Sequence, residues 1–131
     1  MILIISCGKK KCITKSKAKD MYIGSHFKRC LSFALSKVKE DKVFILSAKY
    51  GLLRLNDLIS SYELKMGQSG SVDENTIIKQ AELFNIRDEQ IISTAGSEYK
   101  KILIKTFKNI KFPFEGLSMG YMAQAMKRNH A

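Results

Sequence analysis

The stretch Ile2-Leu3-Ile4-Ile5 is apolar, rich in β-branched residues, and ends directly in Ser6-Cys7-Gly8-Lys9. A short apolar run that ends in turn residues predicts a strand buried on both faces. Two further runs have the same character, Val43-Phe44-Ile45-Leu46 and Gln90-Ile91-Ile92-Ser93. Intervals of roughly 40 residues separate these runs, which is too long for a hairpin and long enough for a helical crossover between parallel strands.

Amphipathic patterns fill the intervals. Apolar residues recur at three- and four-residue steps, which predicts helices over about residues 25–40, 73–84, 97–108 and 116–128. With a further strand near residues 110–112, the order predicts an α/β fold, a three-layer sandwich whose short, mainly parallel sheet of three to four strands is flanked by helices. No linker or repeat interrupts the chain, so we expect a single domain over residues 1–131. Residues 8–22 and 49–72 lack periodicity and are predicted to be long loops, which in compact domains are often functional.

The charge of the chain is unevenly distributed. Of its net charge of +11, a balance of +9 lies in residues 1–39, where Asp20 is the single acidic residue. Six lysines fall between Lys9 and Lys19. This segment is either a solvated flexible loop or, because it leaves the first strand where α/β proteins bind ligands, an electrostatic contact for a phosphate-bearing partner.

Nothing in the sequence indicates export, a membrane partner or a cofactor. The apolar run at residues 1–5 is far too short to span a bilayer, and its basic residues follow it instead of preceding it as in a signal peptide. Cys7, Cys12 and Cys30 form an odd set that is typical of free thiols, and neither histidine has a zinc-binding spacing. We predict a cytoplasmic protein without a metal, and the oligomeric state stays open.

The predicted strands all end in small residues and hydroxyl groups. The second strand leads into Ser47-Ala48-Lys49-Tyr50-Gly51 and the third into Thr94-Ala95-Gly96-Ser97. The ends of parallel strands lie side by side at the edge of the sheet where ligands bind, and small residues, hydroxyls and free N–H groups suit an oxyanion. We therefore predict a phosphate-binding crevice at this edge, with Gly96-Ser97 at a helix start as its best anion cradle. The candidate binding residues from these exits are Ser6, Cys7, Lys9, Ser47, Lys49, Tyr50, Gly51, Gly96 and Ser97.

Known nucleotide motifs are absent from these exits. Neither the phosphate loop of nucleotide hydrolases nor the dinucleotide motif Gly-x-Gly-x-x-Gly occurs, which disfavours ATP and NAD as cofactors. Cys7 is either a nucleophile whose thiolate the nearby lysines favour or a small buried residue at a strand end.

Aromatic and acidic residues lie near the same edge. Tyr22, Tyr50 and Tyr62 fall in the predicted loops, where each ring either stacks on a base or packs the loop onto the core. Glu63 and Glu98 are the candidate catalytic carboxylates, either as a general base or as stabilisers of an oxocarbenium-like centre. An acid at position 98 also stabilises the first turn of a helix, whatever its function.

The blocks that carry a family resemblance are Ser6-Cys7-Gly8-Lys9-Lys10, Asp20-Met21-Tyr22-Ile23-Gly24, residues 45–52, Tyr62-Glu63, Ala95-Gly96-Ser97-Glu98-Tyr99 and Leu117-Ser118-Met119-Gly120. They resemble a group of small uncharacterised bacterial and phage domains that is distantly similar to the peroxide-stress protein YaaA. Tyr99 and Gly120, which lie in these blocks, complete the candidate binding residues. Gly120 stands four residues after Gly116, a spacing that indicates either close helix packing or backbone contact with a ligand. It implies a link to nucleic acid, including DNA protection and modified-base metabolism, and a fold similar to base-processing enzymes.

Two functions remain open at this point. The first is an enzyme that acts on a nucleotide or on a base within a nucleic acid, at the N-glycosidic bond. The alternative is a non-catalytic nucleic-acid-binding module that uses the lysine-rich segment and the same crevice.

Overall fold

The three predicted buried strands form the centre of a five-stranded sheet in the computed structural model, which describes residues 1–128. The strands are β1 (Ile2–Ser6), β2 (Ser16–Lys17), β3 (Val43–Ser47), β4 (Gly51–Arg54), β5 (Leu58–Ile59), β6 (Ile91–Ser93) and β7 (Ile110–Lys111). The helices are α1 (Ala18–Met21), α2 (Ser25–Lys37), α3 (Glu74–Leu83), α4 (Ser97–Thr106) and α5 (Met119–Arg128), with a 3₁₀ turn at Glu40–Lys42. The large sheet has the order β4-β3-β1-β6-β7. Its strands are parallel except β4, which is antiparallel to β3.

Two hydrophobic cores lie on opposite faces of this sheet, because alternate residues of each strand point to opposite sides. Leu3 and Ile5 of β1 face a core that includes residues of α2 and α5, whereas Ile2 and Ile4 face a core built with α3 and α4. The predicted three-layer α/β arrangement is therefore confirmed, with five strands in the sheet instead of three to four.

The two segments predicted to be long loops are in fact folded, which corrects that prediction. Residues 49–72 contain β4 and β5, and residues 8–22 contain β2 and α1. The strand β4 follows β3 through a tight hairpin, in which Gly51 adopts φ +75° opposite Ser47. Strands β2 and β5 pair antiparallel in a separate two-stranded sheet. These strands have two to four residues, which is too short to show a period.

The helix boundaries also differ slightly from the prediction. The segment expected to be helical from residue 25 to 40 ends its α-helix at Lys37, and Glu40 begins a separate 3₁₀ turn. The last helix begins at Met119 instead of Gly116, whose φ of +81° does not continue a helix. Within the described residues, no helix has both the length and the apolar character that crossing a membrane requires.

Candidate functional site

The exits of the three central strands lie next to one another. Ser6 pairs with Leu46 in the parallel ladder, and the amide of Cys7 donates to the Leu46 carbonyl at 3.0 Å. On the other side of β1, the amide of Thr94 donates to the Ile4 carbonyl at 3.3 Å. The strand ends β3, β1 and β6 therefore form one continuous edge, as the parallel topology predicts.

Two helices begin at this edge, one on each face of the sheet. Phe27 in the first turn of α2 packs against Gly8, just beyond β1, and α4 begins at Ser97, shortly after β6. The N-cap residues are Gly24 and Gly96, and neither supplies a side-chain cap. By contrast, α3 is capped by Asp73, which accepts from the Thr76 amide at 2.8 Å. In the first turn of α4 the Tyr99 amide donates to the Gly96 carbonyl at 3.1 Å, whereas the amides of residues 25–27, 97 and 98 have no acceptor among residues 1–128. These amides and the positive ends of the two helix dipoles face the strand ends.

Two buried polar atoms near the Cys30 thiol have no nitrogen or oxygen partner among the described residues. Thr94 is 4% exposed, and neither its Oγ1 nor the Nδ1 of His26 makes a hydrogen bond with the described residues. The Cys30 thiol lies near both, with its Sγ 3.7 Å from His26 Nε2. Burial raises the pKa of Cys30, an effect that the nearby Thr94 hydroxyl partly offsets. Burial and Arg29 lower the pKa of His26, so its neutral form is favoured.

A chain of buried hydroxyl groups crosses the end of β3. The Tyr62 hydroxyl lies 2.7 Å from Ser47 Oγ and 2.6 Å from the Tyr22 hydroxyl. The Ser47 oxygen also accepts from the amides of Lys49 and Tyr50 at 3.2 and 3.1 Å. Burial raises the pKa of Tyr22 to about 12 and also raises the pKa of Tyr62, so both phenols are protonated at neutral pH.

The tyrosine rings pack instead of facing solvent. Tyr22 and Tyr62 are buried, which matches the packing alternative, so their faces are closed to a stacking base. Tyr50 is half-buried against Tyr62, with ring centroids 5.6 Å apart, and its hydroxyl donates to the Ser60 carbonyl at 3.2 Å. The Lys11 ammonium lies 4.6 Å from the centroid of the Tyr62 ring, a cation–π contact.

Cys7 and Tyr99 meet at the end of β1. The Cys7 Sγ lies 3.1 Å from the Tyr99 hydroxyl. Burial raises the pKa of Tyr99, and the neighbouring Cys7 thiol adds to this. The Cys7 side chain is half-buried, so it is less enclosed than the buried strand-end residue that was one of the two alternatives for it.

The remaining predicted residues differ in accessibility. Ser6 is half-buried, and the following predicted residues are exposed: Lys9, Lys49, Glu63, Gly96, Ser97 and Glu98. Gly51 is buried, and the Gln80 carboxamide fills the space beside it, so its small size serves packing. Among the described residues, Gly120 has no neighbour within 4 Å of the place where a Cβ would stand, so none of them packs closely against this glycine.

Sequence reasoning missed His26, Cys30 and Lys11 as members of this edge. His26 and Cys30 are four residues apart on α2, so they lie on one face at the start of a helix that follows the first exit. This four-residue spacing was the sequence signal that could have placed His26 and Cys30 together at the edge of the sheet. The position of Lys11 over Tyr62 had no sequence signal, because it depends on how residues 9–19 fold.

Other features of the surface lie away from the strand ends. A cavity of about 670 Å³ is lined by Glu82, Asn85, Arg87, Asp88, Glu89 and Lys108. A smaller one of about 380 Å³ is mostly apolar and includes Phe33, Ile92 and Phe114 in its lining. Among residues 1–128, no three His, Cys, Asp or Glu side chains are grouped as a metal site would require.

These features define an open α/β/α protein with a polar site at the carboxyl edge of its sheet. The chain belongs to a family of unknown function, DUF6884, whose model matches residues 2–128. It is also similar to the uncharacterized protein YfjM of Bacillus subtilis (strain 168), with 30% identity over 142 residues that cover 97% of this chain and 93% of that protein. The expected membership in an uncharacterised domain family is thereby confirmed.

Proposed function

We propose that this protein binds the phosphate of a nucleotide or nucleic acid at the carboxyl edge of its sheet and acts at the N-glycosidic bond of the bound base. One observation carries the proposal. Two helices without side-chain caps, α2 and α4, begin at neighbouring strand ends, where the buried Thr94 hydroxyl lies beside the Cys30 thiol and has no nitrogen or oxygen partner among residues 1–128. A phosphate at this edge accepts hydrogen bonds from the helix amides and from Thr94 together.

The charges around the edge support an anionic ligand. Each helix N-terminus carries about half a positive charge, and such ends bind phosphate in many proteins. Lys9 and Lys49 stand exposed at the first two strand exits, and the whole chain has a net charge of +11. Long-range attraction of this kind concentrates polyanions at the surface before the specific contacts form.

In the proposed reaction, one of the two candidate carboxylates acts on the sugar. Glu98 lies in the first turn of α4, two residues from Gly96, and Glu63 follows the buried Tyr62. A carboxylate at either position stabilises positive charge on the sugar as the glycosidic bond breaks, while water adds to the anomeric carbon and the departing base takes a proton. The proposed kinship with YaaA-like and base-processing proteins has the same implication.

A non-catalytic nucleic-acid-binding role is the second candidate, and one observation favours it. Glu63 and Glu98 are exposed, and among residues 1–128 no hydrogen bond to either carboxylate holds it in place. Catalytic carboxylates are commonly oriented by neighbouring groups. The binding part of the proposal does not depend on either glutamate.

Binding is tested by titrating inorganic phosphate and nucleoside monophosphates into isotope-labelled protein and following the backbone amides by NMR. We expect the largest shifts at residues 25–27 and 97–99, and smaller shifts at the capped start of α3. Shifts that are equal at all three helix starts would contradict the proposed phosphate site.

Catalysis is tested by incubating the protein with nucleosides, nucleotides and nucleic acids that contain modified bases, and measuring released base. Glu98→Gln and Glu63→Gln separate the candidate carboxylates, and Glu74→Gln in the first turn of α3 is the matched control. We expect one of the first two variants to lose turnover and retain phosphate binding. If the wild-type protein binds and releases no base from any substrate, the non-catalytic role replaces the enzymatic one.

A further inference from the structure

The backbone of residues 9–19, called here the basic ribbon, is hydrogen-bonded to the rest of the fold at several points. The Cys12 amide donates to the Met21 carbonyl at 2.9 Å, and the Ala18 amide donates to the Asp57 carbonyl at 2.7 Å. In the middle of the ribbon, β2 pairs antiparallel with β5. The flexible-loop interpretation of this lysine-rich segment therefore does not describe its backbone.

Four lysines of the basic ribbon are free for an external partner. Lys11 lies over the Tyr62 ring, and Lys19 forms an ion pair with Glu40 at 3.1 Å. The other four are exposed and have no acidic partner among residues 1–128: Lys9, Lys10, Lys15 and Lys17. Clustered unpaired cations repel one another, so an anionic partner that enters between them is favoured.

An exposed isoleucine stands among these lysines. Ile13 is 94% exposed, and Leu58, which pairs with Lys17 across the two short strands, is 65% exposed. The turn around Ile13 is held by short contacts, because Ser16 Oγ lies 3.0 Å from the Thr14 carbonyl and 3.0 Å from Cys12 Sγ. Single exposed apolar side chains are common on proteins, and Ile13 differs from the others in being the most exposed of them and in lying among unpaired lysines.

We propose that the basic ribbon docks on double-stranded nucleic acid, with its free lysines on the phosphates and Ile13 inserted as a wedge between base pairs. This inference rests on the proposed function, which it refines by naming a duplex as the substrate class. Apolar wedges flanked by cations are how many minor-groove proteins unstack a base step. Unstacking also lowers the cost of extruding a base into a neighbouring site, which any enzyme acting at a glycosidic bond in a duplex requires.

The composition of the ribbon favours a duplex over a single strand. Proteins that bind single strands stack bases on aromatic rings, and residues 9–19 contain no aromatic residue. The nearest tyrosines, Tyr22 and Tyr62, are buried. The ribbon is also continuous with the strand-end site, since Lys11 contacts the ring whose hydroxyl bonds to Ser47. A membrane surface would use the lysines equally well, but it gives no reason for this continuity.

The test measures fluorescence anisotropy of a labelled DNA duplex that carries a fluorescent base analogue, at several salt concentrations. Ile13→Ser should weaken duplex binding roughly tenfold and remove the fluorescence rise that accompanies unstacking, with the salt dependence unchanged. Leu83→Ser, at an exposed leucine on α3, is the matched control and should bind as the wild type does. Replacing the four free lysines with glutamine should reduce the slope of log affinity against log salt by roughly three to four.

Three outcomes overturn the inference. They are unchanged duplex affinity in Ile13→Ser, tighter binding to the single strand than to the duplex, and Ile13-dependent binding to phosphatidylserine vesicles without duplex binding. The phosphate titration at residues 97–99 reports on the proposed function separately. If the ribbon variants bind duplex normally while the phosphate shifts persist, the inference fails and the proposed function stands; the reverse pattern leaves the ribbon as a duplex-binding surface without the proposed site.

Discussion

The hydroxyl of Tyr99 lies 3.1 Å from the Sγ of Cys7, and this contact joins α4 to the end of β1 across the edge of the sheet. Cys7 packs against the hydrophobic core on the α2 side of the sheet, whereas Tyr99 packs against the core on the α4 side. The contact therefore links the cores on the two faces of the sheet, at the edge where α2 and α4 begin.

Removing the Tyr99 hydroxyl should loosen this junction. We expect Tyr99→Phe to lower the free energy of unfolding by about 1 kcal/mol, since the ring stays and one partly buried hydrogen bond is lost. Tyr121→Phe is the matched control, because Tyr121 is exposed on α5. Urea denaturation of both variants checks the prediction, and equal stabilities would show that the Cys7 contact contributes nothing.

The buried tyrosines should make the fold sensitive to alkali. Burial raises the pKa of Tyr22 from 10.0 to about 12, so the unfolded chain loses this proton near pH 10 while the folded chain keeps it. Its contribution is fully present below pH 10 and is lost as the pH rises from 10 to 12, by up to about 1.4 kcal/mol per pH unit. Burial shifts Tyr62 and Tyr99 in the same direction, so their pKa shifts add to the loss.

Tyr22→Phe tests this because it keeps the ring and removes the titrating group. Urea denaturation at a series of pH values should give a shallower loss of stability above pH 10 in the variant than in the wild type. Tyr121→Phe, which removes an exposed hydroxyl, is the control. The same slope in Tyr22→Phe and the wild type would refute the assignment.

Two glycines should respond to alanine with opposite signs. Gly51→Ala should lower the free energy of unfolding by at least about 2 kcal/mol, because its φ is +75° and its Cβ would collide with the Gln80 carboxamide. Gln80 would then also lose its bonds to the Leu52 amide and the Tyr50 carbonyl. The Cβ of Gly120→Ala would meet no neighbour within 4 Å in the described part of the chain, and we expect this variant to raise stability by up to about 1 kcal/mol. Thermal melts of the two variants measure these changes in stability. A Gly51→Ala protein as stable as the wild type would contradict the prediction for Gly51.

The central strands were predictable because burial on both faces leaves an unbroken apolar signature in the sequence. The strand β4 was missed because Tyr50-Gly51 is equally typical of a strand exit and of a tight hairpin. In the structure the chain forms a tight hairpin at Gly51. Strands β2 and β5 have two residues each, and their pairing depends on contacts between segments 40 residues apart in the chain, such as Ser16 with Ile59. The periodicity of a sequence does not indicate which distant segments pair with each other.

The candidate site shows the same limit at the level of side chains. Parallel topology alone places the exits at Ser6, Ser47 and Thr94 on one edge, since it depends only on strand order. The burial of Tyr22 and Tyr62 does not follow from the sequence, because it requires residues 8–22 and 49–72 to fold over the end of β3. Likewise, the unpartnered state of Thr94 depends on what α2 places beside it, here the Cys30 thiol.

The buried hydroxyl of Thr94 should cost stability in the ligand-free protein and contribute to binding. Thr94→Val keeps the shape and removes an oxygen whose neighbour is the weakly hydrogen-bonding Cys30 thiol and which has no nitrogen or oxygen partner among the described residues, so we expect it to raise the free energy of unfolding by up to about 1 kcal/mol. The same variant should bind inorganic phosphate more weakly, because the proposed phosphate ligand accepts a hydrogen bond from that hydroxyl. Thr106→Val is the matched control, since the equally buried Thr106 hydroxyl donates to the Ile102 carbonyl at 2.9 Å and is distant in sequence from the exits. It should not raise stability and should bind phosphate as the wild type does. Denaturation and phosphate titration of both variants give two independent readouts, and a Thr94→Val protein that is destabilised yet binds phosphate normally would remove this residue from the site.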